Sequence, residues 1–189
     1  MKTIKKLSFA VVTFVALSFS LSSCDAITEA LSKEVEVEAP AIDFSIGGAT
    51  AAPMQKVSAN AAAEYVWLNK SVDIKTKLET ELAKSNLTID KVKGLKVTAS
   101  RITVLSILLS NYNLGNIKIY IDDTLVATGT GNVSPTSAVI NFTYTAPFDM
   151  FAKLGAGTVM VKVTSDAKAP SIILNMALIN TYLGKVGLI

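Results

Sequence analysis

Ile117-Lys118-Ile119-Tyr120-Ile121-Asp122-Asp123-Thr124 is the stretch that decides how this chain folds. Three isoleucines alternate with a lysine and a tyrosine. In a strand, successive side chains point to opposite faces, so Ile117, Ile119 and Ile121 share one apolar face. Asp122-Asp123-Thr124 then interrupts β-rich sequence on both sides and reads as a hairpin tip. The same spelling recurs along the chain. Val35 and Val37 alternate with glutamates, and Ile42, Phe44 and Ile46 alternate with Asp43 and Ser45. Leu95, Val97 and Ala99 share a face, as do Ala138, Ile140, Phe142 and Tyr144, and Val159, Val161 and Val163. The alternation predicts Ile119, Ile140, Phe142 and Val161 as buried, with Lys96, Lys118, Asn141 and Lys162 facing solvent.

Two helices interrupt this pattern. Ile74, Leu78 and Leu82 recur every four residues, which predicts a helix over 75–85 with Asp73 as its cap. Lys75/Glu79 and Lys77/Glu81 stand at i, i+4 on its exposed side. A shorter helix is expected over 148–154, with Pro147 at its start and Gly155 at its end. Residues 102–109 and 172–179 are apolar on both faces, as in strands that lie centrally or under a helix. Residues 171–182 read as the last strand, and 47–60, small and rich in Ala and Gly, as a loop. Several short strands with turn signals predict a mainly β fold, an antiparallel β-sandwich with two short helices. The alternative is an α+β sheet with both helices on one face.

The beginning of the chain has a different character. Lys2, Lys5 and Lys6 precede an uncharged, apolar run over 7–21, which ends in Leu21-Ser22-Ser23-Cys24. A basic start, an apolar stretch and small residues make up a secretory signal, and about 15 apolar residues are fewer than the roughly 20 that a membrane-spanning helix needs. Leu21-Ser22-Ser23-Cys24 resembles a lipobox, and on these first 24 residues the chain resembles the bacterial lipoproteins. The resemblance implies removal of residues 1–23, a diacylglyceryl thioether on Cys24 and a further fatty acid such as palmitate on the new amino terminus. It implies a lipid-anchored place in the cell envelope, in the outer membrane of a Gram-negative bacterium. Two or three acyl chains hold a protein stably on a membrane where one does not. Asp25 follows the cysteine. It retains lipoproteins in the inner membrane in some Gram-negative groups and not in others. Residues 24–34 then read as a tether, in which Ile27, Ala30 and Leu31 are spaced for a helical turn. Residues 35–189 read as one β-sandwich domain.

Composition narrows the chemistry. Of 18 lysines and arginines, three lie in the signal, which leaves 15 against 15 acidic residues. That balance takes away the support for a nucleic-acid partner. Cys24 is the single cysteine and there is no histidine. A disulfide, a thiolate metal site and the usual general base are therefore missing from the chain, and no cofactor is expected. Ser165-Asp166-Ala167-Lys168 matches a Ser-x-x-Lys spelling, but that motif acts from a helix, and Pro170 makes this segment a turn. Asp122 and Asp123 read as a solvated tip rather than calcium ligands. Asp123-Thr124-Leu125 matches a short bacterial acceptor sequence for O-glycosylation, with Thr124 as the modified residue. The three Asn-x-Ser/Thr triplets at Asn69, Asn86 and Asn141 carry no weight in a bacterial chain. Tyr65 and Trp67 read as core packing, with an aromatic platform for sugar as the sharper alternative. Two acids suffice for a glycosidase, so Asp73, Asp122, Asp123 and Asp149 are the carboxylates to follow. The sequence predicts a non-enzymatic binding or assembly module anchored through lipid on Cys24, with an envelope protein as partner. The alternative is a carrier of a lipid or other apolar ligand.

Overall fold

The computed structural model describes residues 32–48, 64–84, 86–144 and 146–187. The signal sequence, Cys24, the tether up to residue 31 and most of loop 47–60 lie outside the described residues.

Two antiparallel sheets form a β-sandwich. The first is built on the last strand, β11 (Leu174–Gly187), which bonds along one side to β4 (Val92–Val104). Its other side takes β1 (Ser32–Glu38) and β2 (Ile42–Ile46) in succession. Between these two lies Pro40, which has no N–H to give a ladder, so the edge breaks there. The outer side of β4 takes β7 (Val139–Asn141) and β9 (Phe148–Asp149). The second sheet runs β3 (Tyr65–Asp73), β10 (Thr158–Ser165), β5 (Tyr112–Ile121), β6 (Thr124–Val133) and β8 (Thr143–Tyr144). Its center is the hairpin read from the sequence. Asp122 and Asp123 alone link β5 to β6, with φ of 45° and 63°. Left-handed residues at both central positions match the right-handed twist of the flanking strands, and aspartate tolerates that region better than most residues.

The apolar faces meet between the sheets. Ile119, Ile140, Phe142 and Val161 are buried there, as the alternation predicts, and Lys96 and Asn141 are exposed. Lys118 and Lys162 are only half-exposed. Their heads are drawn onto the sheet, Lys118 by Glu64 at 3.2 Å and Lys162 by Asp123 at 2.6 Å. Lys162 also sits 4.8 Å above the Tyr120 ring.

Helix α1 spans Ile74–Ala83 and buries Ile74, Leu78 and Leu82. Asp73 caps it by accepting from Thr76 N at 2.9 Å. Glu81 pairs with Lys84 at 2.7 Å, one turn on, while Lys77 Nζ reaches the Pro40 carbonyl. Helix α2 is shorter than the sequence suggests. It covers only Phe151–Leu154, because Phe148 and Asp149 are taken into the first sheet opposite Val97 and Lys96. The Asp149 carboxylate then accepts from Phe151 N at 2.8 Å.

Four further expectations are corrected. The run over 102–109 is strand only to Val104, since Leu105 N donates to Asn175 O and Ser106 Oγ accepts from Asn175 N. That closes the ladder, and residues 105–111 turn out of the sheet. The last strand begins at Leu174 rather than at 171, and Ser32–Glu34 belong to β1 rather than to a tether. The stretch 138–144 is one run in sequence but serves both sheets. It crosses between them at Phe142, whose N–H donates to Ser100 O.

Phe142 is the hinge of that crossing and is buried. Phe142→Ala should lower the unfolding free energy by about 3–5 kcal/mol, the range for a buried phenylalanine. Urea unfolding measures it, and an unchanged midpoint would contradict this packing.

Candidate functional site

Three places merit a chemical reading: the carboxylates, the interior beneath α1, and the end of the sandwich formed by residues 105–111 and 166–173.

The carboxylates are held in structural roles. Asp73 caps α1. Asp122 accepts from Met160 N at 2.8 Å and pairs with Lys153 Nζ at 2.7 Å. The Lys153 bond, then the Met160 N–H, hold its carboxyl below the usual range. Asp123 leans the other way, to Lys162. Asp149 is bonded to Phe151 N. Asp166 receives the Asn116 side-chain amide and backbone N–H, both at 2.7 Å, and these bonds keep its carboxyl low. Burial pushes Glu64 up, but hydrogen bonds from Thr164, Lys118 and Tyr120 outweigh it and leave Glu64 low. Glu38 is held low by a two-point bond from Arg101. Among the described residues no three Cys, Asp or Glu side chains gather as metal ligands. Ser165 is buried at the end of β10, with its Oγ donating to Leu114 O and accepting from Ala167 N. The Ser-x-x-Lys spelling thus falls at the end of a strand.

Beneath α1 the sheets enclose an apolar cleft of about 10 Å³, bordered by Val37, Pro40, Ile42, Leu78 and Tyr182. Asn180, which lines it, belongs to a polar chain that sequence reading missed. Ser100 and Asn180 face each other across β4 and β11. Ser100 Oγ donates to Asn180 Oδ1 at 2.5 Å and, having one hydrogen, accepts from the Tyr144 hydroxyl at 2.6 Å. The Tyr182 phenol stands beside Asn180. Ser100 turns inward because the register of β4 against β11 shifts between Thr181 and Tyr182. This bulge leaves Ala99 exposed, against the alternation with Leu95 and Val97. Burial pushes the Tyr144 and Tyr182 phenols up to about 12.

A second bulge, between Val163 and Thr164 on the partner strand, turns Trp67 and Leu68 both inward. Trp67 is 7% exposed, so it belongs to the core and has no face to offer a sugar. Its Nε1 has no acceptor among the described residues. Thr124 opens β6 and is exposed beside Asp123 and Leu125.

The third place is the apolar end. Leu105 is 58% exposed, Ile107 and Leu109 88% each, and Ile173 55%. Leu108 is buried between them and pins the loop. The Leu105–Asn175 bond ties the start of this loop to the start of β11, two residues beyond Ile173, and Ile173 itself lies against Gly48. Next to this apolar end lies an open polar depression of about 440 Å³ that includes Asn113, Gly115 and Asp166. Gly115 has φ of 74°, and a Cβ there would stand 2.2 Å from Asp166 Oδ1. No protein family, curated protein or solved structure matches the chain.

Two predictions concern charge. Asp122, Asp166, Glu64 and Glu38 have folded-state pKa values below their unfolded ones. Their stabilization is present above the unfolded carboxylate range and is lost as pH falls through the folded values. Stability should therefore drop as pH falls below about 5, and Asp166→Asn should flatten that drop in acid titrations of urea unfolding. At the other extreme, two phenols should ionize near pH 12. Tyr144→Phe and Tyr182→Phe should each remove one of them from the phenolate absorbance titration. Loss of a phenol that ionizes near pH 10 instead would contradict the burial.

Proposed function

We propose that the protein is a lipid-anchored envelope module that binds through an apolar surface and carries out no catalysis. The observation that carries this reading is the apolar end, where Leu105, Ile107 and Leu109 stand in solvent on a loop pinned by Leu108. Three large aliphatic side chains held in solvent within five residues point to an interaction site. The carboxylates support the reading from the other side, since those followed from the sequence each serve a cap, a turn or an ion pair. The carrier reading asks for an apolar cavity of about 300 Å³ or more, and the cleft beneath α1 has room for about one water molecule. Thr124 is proposed as an O-glycosylation site, where exposure at a hairpin tip suits a modifying enzyme.

Anchoring rests on Cys24, which supplies the only thiol in the chain. Cys24→Ala should abolish incorporation of a labeled fatty acid and release the protein from the membrane fraction. Equal labeling of the variant and the natural chain would end the lipoprotein reading.

A further inference from the structure

We propose that the apolar end of the sandwich is a second membrane contact, with residues 105–111 and 169–173 seated shallowly in the bilayer that holds Cys24. The inference rests on the anchoring reading above and names what the exposed surface binds.

The chemistry of the patch selects the occupant. Leu105-Ser106-Ile107-Leu108-Leu109-Ser110-Asn111 and Ala169-Pro170-Ser171-Ile172-Ile173 contain no charged residue and no aromatic one. Protein interfaces draw their binding energy mainly from Trp, Tyr and Arg, with Leu under-represented. Hydrocarbon asks for no directional partner and accepts bare aliphatic side chains. Ser106, Ser110 and Asn111 offer polar groups at headgroup depth, and the exposed pair Asp166 and Lys168 stands at the margin without net charge.

Chain length then sets the geometry. Ser32 pairs with Gly187 at one end of β11, while Ile173 and Leu105 lie at the other. The 14 residues of β11 span about 43 Å. Seven residues separate Cys24 from Ser32, and the eight steps between the two Cα atoms reach at most about 28 Å. A domain standing upright on its apolar end would lift Ser32 beyond that reach. With both ends engaged, the long axis must lie within about 40° of the membrane plane. The tether also keeps the apolar end close to the bilayer at a high effective concentration, so a weak contact suffices.

The test uses the mature, lipidated protein in phosphatidylcholine–phosphatidylglycerol vesicles. The Cys24 sulfur is consumed by its lipid, so Ser110→Cys supplies the only free thiol, and an environment-sensitive fluorophore is attached there. The expected result is blue-shifted emission, quenched by lipids that carry a spin label near the headgroup. Adding Ile107→Asp and Leu109→Asp should restore water-like emission with the circular dichroism spectrum unchanged. Water-like emission from the parent protein overturns the proposal. So does blue-shifted emission that spin-labeled lipid fails to quench, which would place a second copy or another protein on the patch. Failure of the anchor is seen separately, as absence of fatty-acid label and of co-flotation with vesicles.

Discussion

The fold depends on the backbone hydrogen bonds of β11. This strand is paired along both sides, to β4 on one and to β1 and β2 in turn on the other. Its inward residues Leu174, Met176 and Leu178 are fully buried. Without β11, the first sheet would be left as separate edges with unpaired N–H and C=O groups. Each would then need water or a foreign strand as partner. The second sheet packs its apolar face on this platform, and α1 closes the side where the edge breaks at Pro40.

The sequence made the strands legible wherever one face is apolar and the other polar. The β5–β6 hairpin is the clearest case, because Ile117, Ile119 and Ile121 fix the face and Asp122-Asp123 supplies the turn. The α1 cap at Asp73 was equally readable. What escaped reading has a common physical cause: bulges change the face of a residue without changing the composition around it. Ala99 and Ser100 exchange faces at one bulge, and Trp67 is turned inward at another. The run over 102–109 misled for a different reason. A segment apolar on both faces has no period to read, so a central strand and an exposed apolar loop are spelled alike. The loop was decided by Asn175, whose backbone groups bond to Leu105 and Ser106. That partner is remote in sequence.

The candidate site divides along the same line. Of the carboxylates followed from the sequence, Asp73 was already placed at a cap and Asp122 and Asp123 at a turn by their neighbors in the chain, whereas Asp149, read into a helix, belongs to β9. The apolar end was not visible as such, since Leu105, Ile107 and Leu109 had been assigned to the core. In the proposed reading, these exposed side chains and the lipid on Cys24 act together, one by covalent attachment and one by weak burial.

The chain of hydroxyl and amide groups from Tyr144 through Ser100 to Asn180 bears on how a unique alignment is chosen. Apolar contacts are non-directional, so sliding β4 by two residues along β11 would return Leu95, Val97 and Ile102 to an apolar face at small loss. The same slide would part Ser100 from Asn180 and leave buried donors and acceptors without partners. Tyr144 comes from the other sheet, so the relay also fixes how the two sheets sit against each other. A few polar atoms thereby encode the register that more than a dozen interchangeable aliphatic side chains leave degenerate.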